Sequence, residues 1–214
     1  MKFHFFKTTF FLMTTVAIAS ASTASAEAYR VTIQNLTANQ IFTGIHARSH
    51  SSRSPLFKSG EFLPESSLLF FQSGLFLTEP ASVSVPPGAT ITFPIDAKRR
   101  QRFFSLICPL HATDDGFVGI ESIPLPTKRK RIVTVLANAY DAGLFDNTES
   151  CEGNTLLTSL RPPEECSQTP TQVTLQPNSP IVIHNGIHGI EDISPAKYDW
   201  KNPVAKITIQ KMSR

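Results

Sequence analysis

The run "RIVTVLANAY", Arg131 to Tyr140, is short, rich in β-branched residues and stopped by the turn sequence "DAG" at Asp141 to Gly143, which reads as a β-strand. Similar runs lie on both sides of it. "YRVTIQNLT" alternates from Tyr29, "RFFSLICPL" spans Arg102 to Leu110, "QVTLQPNSPIVIH" ends at His184, and "VAKITIQKM" covers Val204 to Met212. "ASVSVPPGATITFPI", Ala81 to Ile95, joins two alternating runs across Pro86, Pro87 and Gly88. Each run is bounded by Pro, Gly, Asn or Asp, and little room is left for strand–helix–strand units. The pattern predicts an all-β fold, an antiparallel β-sandwich with its first and last strands close together. Only Ser59 to Leu77, containing "ESSLLFFQSGLF", has room for a helix, and it is expected to pack as an insertion over one sheet.

The first residues have a different composition. Lys2 and Lys7 precede the apolar run "FFLMTTVAIA" and the small residues Ala24 to Ala26, the layout of a secretory signal peptide over residues 1–26. The apolar run is shorter than the roughly 20 residues needed to span a bilayer, and no cysteine follows it to accept a lipid. Cleavage after Ala26 is expected, giving an exported protein, secreted or periplasmic, with one domain over residues 27–214 and no transmembrane segment. That domain carries 18 basic and 17 acidic residues, so its overall charge points to no class of partner. Cys151 and Cys166 flank a turn-rich loop and, in an oxidising compartment, are expected to pair; Cys108, inside an apolar strand, is expected to be free and buried.

Two loops carry candidate chemistry. Asp114 and Asp115 follow the strand that ends near Leu110, and Asp141, Asp146 and Glu149 follow Tyr140. Calcium accepts six to eight oxygens in irregular geometry, so carboxylates from separate loops can share it if both loops reach one end of the sheets. On spacing alone "DG" and "DAG" read as readily as Asx-turns. "HNGIHG" holds His184 and His188, with His111 elsewhere, and supports the alternative of a metal-dependent hydrolase. Its glycines make it a loop, so the four-residue spacing promises no shared face, and the simpler expectation is imidazoles bonded to backbone carbonyls. No nucleophile elbow or phosphate-binding glycine loop is present, and a non-enzymatic role is expected.

Through "DDGFVGI", "YDAG" and the closing "HNGIHGIEDISPAKYDWKNPVAKITI", the chain resembles the spondin N-terminal domain family, over nearly all of residues 27–214. The resemblance implies a C2-like sandwich, a bound calcium ion and a part in surface recognition or adhesion. It places calcium ligands at Asp115 and Asp141. The family's third carboxylate position falls on Phe145, so either the loop brings Asp146, one residue later, or Glu149 inward to compensate, or the site is weakened or lost.

Two basic runs remain, "KRRQR" at Lys98 to Arg102 and "KRKR" at Lys128 to Arg131. Each borders a strand. If they share one end of the sandwich they should attract a polyanion, and export favours an acidic glycan or an anionic membrane over nucleic acid.

Overall fold

The computed structural model describes residues 26–73, 84–151, 166 and 177–212. The expected signal segment, half of the alternating run before Pro86, the loop between Cys151 and Cys166 apart from its two ends, and the start of the run before Pro177 lie outside the described residues.

Eight antiparallel strands form a nearly closed sheet: β1 (Glu27–Asn35), β2 (His46–His50), β3 (Thr90–Ala97), β4 (Phe103–Pro109), β5 (Gly116–Pro124), β6 (Ile132–Asp141), β7 (Val182–Ile183) and β8 (Ala205–Lys211). Their order is β2-β4-β5-β6-β8-β1-β3, with β7 added beside the end of β6. First and last strands pair, from Tyr29↔Lys211 to Asn35↔Ala205. The opening run, β6, serves both layers: Ile132 to Ala137 pair with β8, while Asn138 to Asp141 pair with β5. The edges approach through the isolated bridges of Phe42 to Val85 and Leu110, and through Ser49 Oγ, which donates to the Asp96 carbonyl at 2.7 Å. The antiparallel sandwich is as the strand spacing predicts.

Alternation sets which side chains face inward. Val31, Ile33, Phe93, Ile207 and Ile209 of one layer meet Phe104, Leu106, Cys108, Val118 and Ile120 of the other in the main core. The outward face of the first layer is mostly polar, with Ile132 and Leu136 exposed on β6, and its register aligns Thr92, Thr32, Thr208 and Thr134 in a row across four strands. Such alternation means that a one-residue slip would place this row in the core.

β4 and the first half of β5 are buried on both faces, which is why β4 reads as a continuous apolar run. Helix α1 (Glu65–Ser73) and the segment before it place Leu56, Phe57, Leu63, Phe70 and Phe71 over Ile107 of β4 and Phe117 of β5. The expected insertion therefore covers this sheet. Phe57 stands edge-on to Phe117 at 5.0 Å between ring centroids. A Cβ on Gly119 would lie 2.5 Å from Phe57 Cζ, so the ring seats directly on the glycine backbone. A short helix α2 (Pro195–Tyr198) precedes β8. Cys151 and Cys166 are disulfide-bonded, and Cys108 is free and buried.

Strands β2 and β5 escaped the sequence reading. "HARSH" is too polar to stand out, and "GFVGIESIP" begins inside the glycine-rich motif that reads as a turn. Conversely, the described part of the run before Pro86 contributes only the bridge at Val85, and the described part of the run before His184 only Val182–Ile183.

Candidate functional site

Strands β4 and β6 are both antiparallel to β5, so they point the same way and their following loops emerge at one end of the sandwich. The pair Gly116↔Asp141 sets the two acidic loops side by side. The turn before Gly116 is tight: Thr113 Oγ1 donates to the Leu110 carbonyl at 2.9 Å, Leu110 N donates to the Gly116 carbonyl at 2.8 Å, and Ala112 adopts φ 58°. This turn drives Asp114 and Asp115 inward, to 5% and 0% exposure.

Asp115 Oδ2 accepts N–H bonds from Leu144 at 2.6 Å and Phe145 at 3.2 Å, which ties the two loops together. Its Oδ1 is buried without a hydrogen-bond partner. Burial, reinforced by the negative charges of Asp141 and Asp114, pushes the Asp115 carboxyl up to about 7. Asp114 accepts from Thr148 N at 3.3 Å, and burial with the nearby Asp141 and Glu149 charges raises it to about 6. Asp141 completes the group as an Asx-turn: Oδ1 accepts from Gly143 N at 2.7 Å and Oδ2 from the Asn147 side chain. Gly143 takes φ 69°, and a Cβ there would meet the Ser179 carbonyl at 2.1 Å. Turn and acidic cluster are thus the same object. Among the described residues no lysine or arginine forms an ion pair with these three carboxylates.

Glu149 turns inward but is committed elsewhere. It sits at φ 58° with 7% exposure, and its carboxylate accepts N–H bonds from His188 at 2.7 Å, Gly189 at 2.6 Å and Ile190 at 2.9 Å. Burial alone would raise its carboxyl, but these three bonds and the neighbouring His188 hold it below the usual range. Asp146 is exposed, and its backbone carbonyl accepts from Thr148 N at 2.8 Å.

The histidines do not form a cage. His184 Nδ1 accepts the Gly186 N–H at 3.1 Å, so the neutral ring carries its proton on Nε2, which is buried and unpartnered. A proton there blocks metal coordination by that nitrogen. The expectation of imidazoles donating to carbonyls is therefore corrected for His184, because the turn at Gly186, with φ 103°, aims an N–H at the ring instead. His188 is exposed, with Nδ1 3.5 Å from Glu149 Oε1. His111 is buried with its ring 6.0 Å from that of Tyr198.

Thr113, Asp114, Asn147, Glu149 and His184 line a small cavity of about 10 Å³ for the centre of a water-sized sphere, room for a single water or ion. Among the described residues no three His, Cys, Asp or Glu side chains converge as a ready-made metal cage. Two features could not be read along the chain: the inward turn of Asp114 and the binding of Glu149 by the "HNGIHG" backbone. The doubled acid in "DDG" is the one local signal for Asp114. Comparison with protein-family models and with curated proteins finds no match to this chain.

Proposed function

We propose that this chain is an exported, non-enzymatic, spondin-like sandwich that binds calcium between its acidic loops and acts in recognition at a surface or in a matrix. The observation that carries the metal reading is Asp115: a fully buried carboxylate with one oxygen unpartnered, beside Asp114 and Asp141, and with no cation paired to the group among the described residues. Burying unpaired charge is costly, and a divalent cation offsets that cost for several carboxylates together.

The donors fit a hard ion. All are oxygens, and calcium tolerates the uneven geometry that two loops offer. Asp115 and Asp141 would hold it, with Asp114 as the third carboxylate in place of Asp146, which faces solvent. Side-chain rearrangement is required, since the three do not converge as they stand. The N–H bonds from Leu144 and Phe145 to Asp115 mean that an ion there would also fix the spacing of the two loops, a basis for a calcium-dependent recognition surface.

The test is calorimetry on chelator-treated protein, with thermal melts beside it. Calcium should bind, raise the melting temperature by mass action, and lose that effect in Asp141→Asn. Folded protein that shows no heat of binding at millimolar calcium overturns the metal reading.

A further inference from the structure

At the opposite end of the sandwich, the pairing of Phe103 with Pro124 brings together the two loops that carry the basic runs. Leu125 N donates to the Arg102 carbonyl at 2.8 Å, and Lys211 Nζ reaches the Thr127 carbonyl at 3.0 Å. Eight of the chain's 20 lysines and arginines therefore lie in two adjoining turns, although the overall charge is nearly balanced. Along the first of these turns runs a groove of about 780 Å³, rimmed by Lys98, Arg99, Arg102 and Lys211, with Phe103 and Pro124 in its walls; the second basic run begins just after Thr127 of its lining and does not itself line it. That volume lies in the range of ligand clefts, about 300 to 1,000 Å³. The acidic side chain at its edge, Glu27, accepts from Lys211 Nζ at 2.6 Å and from the Tyr29 hydroxyl at 2.8 Å, so Glu27 and Lys211 offset each other and Lys98, Arg99 and Arg102 carry the net positive charge of the rim.

We infer that this groove binds an acidic polysaccharide, a chain of sugar rings bearing sulfate, phosphate or carboxylate groups. Shape decides between this and a lipid surface. A recessed cleft admits a narrow chain, whose rings can lie on Phe103 and Pro124 while its anions meet the rim. A flat bilayer meets only protruding groups. Among the described residues, Ile132 is the one exposed large hydrophobic side chain that directly follows a basic run, so little of the described surface there is apolar enough to insert. Exposed charges separated by more than about 8 Å act independently at physiological salt, so the cations that act together on one polyanion are those of the groove rim, Lys98, Arg99 and Arg102. The inference extends the recognition role proposed above but does not use the metal, since the groove lies at the other end of the strands.

The test is binding of a sulfated oligosaccharide series to the purified protein across a salt series, with and without chelator. Wild type should bind, more weakly as salt rises, and equally in chelator. Arg99→Glu with Arg102→Glu should weaken binding by roughly tenfold or more, and the neutral pair Arg99→Gln with Arg102→Gln by less. Lys201→Glu with Lys206→Glu changes net charge equally outside the groove and should leave binding near wild type. Vesicles of phosphatidylcholine and phosphatidylserine are the competing probe. Equal loss in the two Glu pairs, retained binding in both groove pairs, vesicle binding without oligosaccharide binding, or no oligosaccharide binding by wild type at low salt would each overturn the inference.

Discussion

Removing the charge of Asp115 should have opposite consequences with and without calcium. In the metal-free protein the carboxyl is raised from 3.8 to about 7, chiefly by burial and then by Asp141. Because the folded state holds its proton more tightly than the unfolded state, this group's contribution to stability is fully present below about pH 4 and is lost as pH rises through about 7. A shift of that size corresponds to about 4 kcal/mol at 1.36 kcal/mol per unit, an upper bound for a coupled group. Asp115→Asn removes the penalty while its amide oxygen can still accept from Leu144 and Phe145. Its amide N–H groups then occupy the place of the unpartnered Oδ1, at a cost of about 1 to 3 kcal/mol. The net expectation at about pH 8 in chelator is a gain of roughly 1 to 3 kcal/mol, or a melting temperature higher by about 2 to 12 °C. As pH falls towards about 4, where wild type is protonated too, the gap should close and then reverse, because the amide's cost of about 1 to 3 kcal/mol remains while the charge penalty is gone. With calcium added at the higher pH, wild type should rise and the variant should not. Melts followed by circular dichroism over a pH series, in chelator and in calcium, give all three comparisons. A variant that melts at or below wild type in chelator at about pH 8 refutes the claim that Asp115 is a buried, uncompensated charge.

Three further outcomes follow from the packing. Replacing Cys151 and Cys166 by serine opens a crosslink of sequence separation 15, and denaturant melts should show a loss of about 3 kcal/mol from chain entropy. Gly119→Ala forces a methyl against Phe57 and Tyr140, and the same melts should show a loss of about 1 to 3 kcal/mol, relieved in part by Phe57→Leu in the same chain. Glu149→Gln turns an amide towards the N–H groups of His188, Gly189 and Ile190 and should destabilise by about 1.5 to 3 kcal/mol. Its calcium-induced shift in melting temperature should survive, whereas a ligand role for Glu149 would remove the shift along with the stability.

Local sequence was enough to establish the strands whose burial alternates. In β1 and β8, inward Val31, Ile33, Ile207 and Ile209 are separated by polar residues, and a period of two specifies both the strand and its buried face. The same logic located the acidic loops and the disulfide pair, since turn residues and cysteines mark themselves by type. Tertiary structure decided what period and type do not encode. β5 is buried over Gly116 to Ile120 because α1 covers one face and the opposite sheet covers the other, so its pattern carries no alternation there. Asp146 and Glu149 are both acids in one loop, yet Glu149 is inside because three backbone N–H groups, about 40 positions further along, converge on it. The unpartnered oxygen of Asp115 and the meeting of the two basic runs likewise depend on strand register, Gly116 with Asp141 at one end and Phe103 with Pro124 at the other. Spacing along a chain reports local conformation, whereas desolvation and charge coupling act through space, between residues that only the closed sandwich makes neighbours.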